Sequence, residues 1–245
     1  MRFICSDVLE NVTRREHEQL AAEGHRAWTR LPSGRRLDLI KPDPQAWTHE
    51  DLAIRLARTF RWGGESRWAS PLSVAQHSLQ VLAIAHQNSR STLTPAQQLR
   101  ELLHDAEEGW LGFDCLAPLK PALGAPFRLV SDRLTAAVWE RYALPTWDRD
   151  GYAHHKDADE ASAASEAVHT VGWSVDEVRN VLGIEAPILQ VDPLAEIFGC
   201  EAWRPWPADV AAERFLQALQ RLVDECASAV DGVRTTSTVE ARELP

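Results

Sequence analysis

Long stretches of this chain repeat apolar residues every three or four positions, a spacing that predicts helices rather than strands. In the clearest stretch, residues 70–87, the residues of one apolar stripe are Leu72, Ala75, Leu79, Leu82 and Ala83. Thr94-Pro95 predicts the start of the next helix, because proline is favoured in a first helical turn. That helix is expected to continue to about Glu108, before Gly109 and Gly112.

Other segments complete a mainly helical pattern. Further helices are predicted at 127–142, 150–170, 175–182 and 208–230, with an ordered loop at 186–207. Near the start, Pro32-Ser33-Gly34 separates two short alternating segments, 26–31 and 35–40, which is typical of a β-hairpin. Thr48 followed by Asp51 predicts a capped helix start.

These elements predict an all-α fold, a helical bundle with a small N-terminal β-hairpin. Residues 26–230 are interpreted as one domain, since no linker divides them. Residues 1–25 are expected to form an N-terminal extension with a short helix near 14–23, and residues 231–245 a flexible tail.

Composition restricts the function. A net charge of −10 argues against binding a nucleic acid polymer, which requires a basic surface, but leaves room for a small phosphorylated ligand. No apolar run approaches the roughly 20 residues of a membrane span. No signal peptide is recognised, and the four cysteines are widely spaced, as expected for reduced thiols in a cytoplasmic protein: Cys5, Cys115, Cys200 and Cys226.

The most informative chemical pattern is the doublet His104-Asp105, together with His77 upstream and Asp159 downstream. Two imidazoles and two carboxylates suit a divalent ion such as Mn²⁺, Co²⁺, Fe²⁺ or Zn²⁺ in a catalytic site. All four residues fall in predicted helices, and helical bundles build metal sites from facing helices. Taken alone, His77 is more often a satisfied core histidine, whereas adjacent polar groups at a buried helix end require partners.

The fourth ligand is less certain from spacing alone. Three residues compete within the segment 154–159: Asp159, Asp157 and His155. Asp159 lies four residues after His155, and therefore on the same helical face. Small alanines around it would allow close packing, so spacing favours Asp159 slightly.

At this point the chain resembles the HD-domain metal-dependent phosphohydrolases, in particular the branch of bacterial 5′-deoxynucleotidases and phage deoxynucleotide phosphohydrolases. The resemblance covers roughly residues 26–225 and rests on ordered motifs: Pro32–Leu39, Arg61-Trp62-Gly63-Gly64, Ser73–Ser78, Leu103–Glu108, Ala117–Lys120 and Lys156–Asp159 with Ser165-Glu166. It implies an HD-domain bundle in which one divalent ion (Co, Mn, Zn, Fe or Mg) is bound by His77, His104, Asp105 and Asp159.

The same resemblance implies further roles. Glu108 matches an acid that handles protons or orients water; without the resemblance it would be an ordinary charged residue. Asp114 matches a second catalytic acid, although this chain has Gly-Phe-Asp where the family has Gly-Asp, which leaves that role open. The expected substrate-binding residues are Arg61, Trp62, Arg67 and Lys120, with Trp62 packing on the sugar; the alternative is that Trp62 belongs to the core.

The resemblance therefore implies a metal-dependent hydrolase of nucleotide phosphate esters, most simply a 5′-deoxynucleotidase releasing phosphate from deoxynucleoside monophosphates. Two alternatives are a deoxynucleoside triphosphate triphosphohydrolase and an inactive HD-domain nucleotide sensor. A small-molecule nucleotide is the expected partner, and a homo-oligomer is expected because family members form them.

Overall fold

In a computed structural model the described residues are 27–240, with side chains described to residue 229. The predicted extension 1–25, its short helix near 14–23, and Cys5 lie outside them. The described elements confirm the all-α fold with a small N-terminal hairpin. Among residues 27–240, no helix combines the length and apolar character needed to cross a bilayer.

The hairpin pairs β1 (Trp28–Arg30) with β2 (Arg36–Asp38) in antiparallel register, Thr29 facing Leu37. Its turn is attached to the first helix, α1 (His49–Ala57). Ser33 donates its backbone N–H and its hydroxyl to the buried carboxylate of Asp51, both at 2.7 Å. The same carboxylate closes the predicted capping box with Thr48. One side chain thus fixes both the hairpin and the start of α1.

The remaining helices follow the predicted order with shifted ends, except that the helix predicted from Thr94 to Glu108 is divided into two and α8 is additional. They are α2 (Val74–Asn88), α3 (Pro95–Leu102), α4 (Ala106–Leu111), α5 (Lys120–Tyr142), α6 (Arg149–Glu166), α7 (Val175–Asn180), α8 (Pro193–Phe198) and α9 (Ala208–Glu240). A single 3₁₀ turn at Arg61–Gly64 and a π-turn at Ala167–Val171 complete the described elements.

Several boundaries correct the sequence expectations. α2 begins after Ser73, whose hydroxyl accepts from the Gln76 backbone N–H, rather than at residue 70. α5 begins seven residues early but is broken at Gly124, where φ is 72°. The predicted loop 186–207 contains α8, capped by Asp192. The backbone of α9 remains helical to Glu240, which overlaps the predicted tail; residues 241–245 lie outside the described residues.

The main core lies where α9 packs against α1 and α3. The largest of its fully buried side chains include Trp47, Trp110, Phe215, Leu52, Leu56, Leu99 and Leu102. On the other side of α2, α6 packs close through small residues, since Ala158 and Ala161 are both buried. This close contact between α2 and α6 brings their polar side chains together near the start of α4.

Candidate metal centre

Three of the predicted ligands form one cluster. His77 comes from α2, and His104 and Asp105 come from the turn between α3 and α4. One ligand atom from each lies within 4.8 Å of the others. The two Nε2 atoms are 3.2 Å apart, and Asp105 Oδ2 is 3.1 Å from His104 Nε2 and 3.6 Å from His77 Nε2. Two imidazoles and a carboxylate therefore converge as a divalent ion requires.

The position of the doublet corrects one expectation. Residues 103–105 form a turn between two separate helices, not the interior of one helix. Leu103 and Asp105 occupy the flanking positions of α3 and α4, with φ near −105° and −112°. Because the chain changes direction there, both side chains of the doublet can point toward the same place; on one continuous helix, neighbours diverge by about 100°.

Asp159 lies at the edge of this cluster. Its Oδ1 is 3.4 Å from His77 Nε2, while its Oδ2 accepts from Lys156 Nζ at 2.7 Å. The two competing residues are turned elsewhere: His155 Nδ1 bonds Glu101 Oε2 at 2.7 Å, and Asp157 is exposed. Of the candidates on α6, only Asp159 has a described contact with His77.

Both imidazoles are held through their other nitrogen. His77 Nδ1 donates to Glu166 Oε1 at 2.6 Å, because a carboxylate can only accept. His104 Nδ1 donates to the Glu101 backbone carbonyl at 2.8 Å. Each proton is therefore on Nδ1, which leaves both Nε2 lone pairs directed at one point. Metal-binding histidines are normally oriented in this way, so these residues fit a divalent ion.

Glu166 is the centre of a buried network. Its side chain is fully buried, and besides His77 it accepts from Ser162 Oγ at 2.9 Å, Arg61 Nε at 2.9 Å and Trp62 Nε1 at 3.0 Å. Burial alone would raise the pKa of Glu166, but Arg61 and His77 hold it well below its usual range. Glu166 is therefore an ionised acceptor that connects the cluster to the residues beside it.

The charges of the cluster depend on one another. Burial opposes ionisation of Asp105, yet His104 and then His77 hold its pKa well below the usual range. Burial and Arg61 lower the pKa of His77, but Glu166 and the hydrogen-bond acceptors of Asp105 and Asp159 raise it well above the ordinary value. The carboxylates around the two Nε2 atoms therefore favour a positive charge at this point. A divalent cation would supply the same charge without protonating Nε2.

Glu108 and Lys120 lie next to the cluster. Glu108 is only 2% exposed, and its Oε2 has no hydrogen-bond partner among the described residues. Burial, together with the charges of Asp105 and Asp114, raises its pKa well above normal. Lys120 Nζ lies 3.6 Å from Glu108 Oε1, and its side chain is 43% exposed. A buried acid and a half-exposed cation therefore lie side by side next to the cluster.

The 3₁₀ turn places Arg61 and Trp62 against Glu166. Trp62 has φ 58°, a left-handed conformation that is unusual for a large side chain and that persists only when its surroundings impose it. Asp114 Oδ2 accepts from the Trp62 backbone N–H at 3.3 Å. Arg61 Nη1 is 3.7 Å from Asp105 Oδ2, so its guanidinium spans Glu166 and the metal cluster.

The structure also shows where Trp62 and Arg67 lie relative to the metal cluster. Trp62 packs against the apolar cluster of Ala164, Ala167 and Val178 while its indole N–H bonds Glu166, so it is partly a core residue and also reaches the site. Arg67 is exposed, and no described contact joins its guanidinium to the cluster; its backbone N–H donates to the Thr170 carbonyl.

Two positioning residues, Glu101 and Glu166, had no assigned role in the sequence interpretation. A signal for Glu166 exists in the sequence: it follows Asp159 by seven residues and Ser162 by four, which places all three on one face of α6. No comparable pattern indicates Glu101, because its contact to His104 is made through the backbone carbonyl.

The fold and cluster together define an all-α protein with a candidate divalent-metal centre. No family model matches the chain. Over 165 residues it is 39% identical to an uncharacterized protein of Rhodobacter capsulatus, an alignment that spans 67% of this chain and 83% of the relative. The chain therefore belongs to the same family as that bacterial protein.

Proposed function

We propose that this chain is an HD-domain metal-dependent phosphohydrolase that cleaves phosphate esters of deoxynucleotides, most simply as a 5′-deoxynucleotidase. The observation that carries the proposal is the convergence of His77 Nε2, His104 Nε2 and Asp105 Oδ2 within 4.8 Å, with Arg61 beside them. A ligand set of this kind beside an arginine suits a phosphate ester better than a neutral substrate.

His77, His104, Asp105 and Asp159 are the residues proposed to hold the ion. A bound divalent ion would polarise a phosphoryl oxygen and make water a better nucleophile. Arg61 is held through Nε by Glu166 and has Nη1 near Asp105, so Nη2 is the group proposed to bind a phosphate oxygen. Lys120 lies 3.6 Å from Glu108, and its side chain is exposed enough to contact a second phosphate oxygen.

Glu108 is proposed to move the proton. Its buried carboxyl is favoured in the neutral form and has an unpaired Oε2 among the described residues, so it is able to protonate the leaving oxygen. Asp114 is engaged with the Trp62 backbone, which supports a role in positioning the 3₁₀ turn rather than direct proton transfer. The Trp62 ring would then limit the space beside the sugar.

Two other functions compete with this one. A deoxynucleoside triphosphate triphosphohydrolase would use the same centre but release a chain of three phosphates. An inactive nucleotide sensor would bind nucleotide without turnover, although the buried, unpartnered Glu108 is costly for a protein that only binds.

The test is a panel of deoxynucleoside and ribonucleoside mono- and triphosphates, each assayed with Co²⁺, Mn²⁺ or Mg²⁺ and with the phosphate product identified. We expect orthophosphate from deoxynucleoside monophosphates. Triphosphate release would favour the first alternative. Nucleotide binding without product, in protein that contains stoichiometric metal, would support the sensor and refute the proposed activity.

A further inference from the structure

A second polar cavity lies away from the metal centre. It has a volume of about 300 Å³, and its lining includes Arg30 from β1, Arg55 from α1, and Arg58, which follows α1. The rest of its described lining is uncharged and contains no carboxylate. Three arginines thus line one cavity in a chain whose net charge is −10.

These three arginines have no ionic partner in the described part of the chain. None of them takes part in a salt bridge described for residues 27–229. No aspartate or glutamate lines the cavity. Burial, and then the neighbouring charge of Arg58, lower the pKa of Arg55. Such a group of like charges is unfavourable by itself and is stabilised by an anion.

Arg55 is also fixed in place. Its Nε donates to the Gly109 carbonyl at 2.7 Å, and its Nη2 donates to the Trp110 carbonyl at 3.0 Å. Gly112, at φ +82°, lines the same cavity, and a Cβ at that position would lie 3.2 Å from Arg55 Nη2. The backbone therefore leaves room beside a preorganised guanidinium, whereas Arg30 and Arg58 are exposed and can close on a ligand.

We propose that this cavity is an anion-binding site for the phosphate groups of a small, multiply charged ligand. The guanidinium groups of Arg30 and Arg58 can each bind two phosphate oxygens, and Arg55 adds a third positive charge although two of its donors are already bonded to backbone carbonyls. The volume is large enough for a diphosphate with part of its substituent. The lining of this cavity shares no residue with the metal centre, although Thr59 and Gly112 are each two residues from Arg61 and Asp114 in the chain.

The experiment measures binding of inorganic pyrophosphate by calorimetry, with metal removed by a chelator so that the metal centre does not contribute. We expect one equivalent to bind, and affinity to fall at least about tenfold in Arg30→Gln and in Arg58→Gln. Neither side chain makes a described hydrogen bond, so both variants should fold. Arg128→Gln removes one exposed charge from α5 and serves as the control, with affinity within about twofold of the native protein.

Two further arms separate the possible outcomes. A nucleoside diphosphate that binds more tightly than pyrophosphate would identify a nucleotide as the natural ligand, and equal affinity would identify a free phosphate. His104→Ala should bind pyrophosphate as the native protein does, whatever happens to its activity. Absence of binding, or equal loss in the Arg128 control, would overturn the proposal.

Discussion

Replacing Glu166 with glutamine tests whether the buried network holds the metal centre together. The glutamine side chain keeps the shape but exchanges one acceptor oxygen for an NH₂ donor. If that NH₂ faces Arg61 and Trp62, the N–H donors of both residues lose their acceptor and face another donor. If it faces His77 instead, Nδ1 must accept, and the imidazole proton moves to Nε2, where it blocks the metal.

The expected loss of stability in Glu166→Gln follows from the burial of Arg61 and Glu166. Arg61 and Glu166 are 11% and 0% exposed, so the substitution removes the nearest counterion of a buried cation and leaves only Asp105, at 3.7 Å. Breaking such a pair costs about 3–5 kcal/mol, and for a domain of this size we expect Tm to fall by about 6–12 °C at the lower end of that range. Loss of the residue that orients a metal-binding histidine typically weakens metal affinity about 10–100-fold.

The assay combines thermal unfolding of metal-free protein with a competition titration of Co²⁺ or Zn²⁺ against a chromophoric chelator. Glu160→Gln is the matched control, because Glu160 is exposed on the same helix and the charge change is identical. Retention of both native Tm and native metal affinity in Glu166→Gln would refute this account of the centre.

Three other predictions concern single positions. His104→Ala should lower bound metal at least about tenfold, measured by elemental analysis after dialysis, and native-like content would contradict the ligand assignment. Asp159→Ala should weaken metal binding in the same titration while Asp157→Ala should not; equal effects would remove Asp159 from the ligand set. Gly109→Ala should destabilise the fold by about 1–3 kcal/mol, since its Cβ would lie 3.0 Å from Leu56; denaturant unfolding with an unchanged midpoint would show that the contact relaxes freely.

The local elements were predictable from the sequence because local forces form them. Thr48 with Asp51, and Thr94 with Pro95, are capping signals complete within four residues, and the structure has both helix starts where they were predicted. The Pro32-Ser33-Gly34 turn predicted the hairpin for the same reason. The apolar stripe on α2 is buried as its pattern predicted, but residues 74–85 are buried on every side of the helix, and His77 lies on the side opposite the stripe.

Helix ends without such signals were misplaced. The turn at residues 103–105 has no glycine or proline, so its apolar pattern continues unbroken from α3 into α4. The bend at the half-buried doublet is therefore set by tertiary packing, which overrides the local helical pattern. α8 was missed because six residues are too few for a periodic pattern to be distinguished from a proline-rich loop.

The sequence by itself determined the helical class of the fold and which ionisable residues were candidates, because both depend on residue type and short-range spacing. Only the tertiary structure decided that Glu166 orients His77 across 89 residues, that Asp159 rather than Asp157 or His155 contacts His77, and that Arg30 meets Arg55 and Arg58 at one cavity. Contacts of this kind join helices that are remote in the chain. Their geometry is set by how apolar faces pack, for which no local pattern exists.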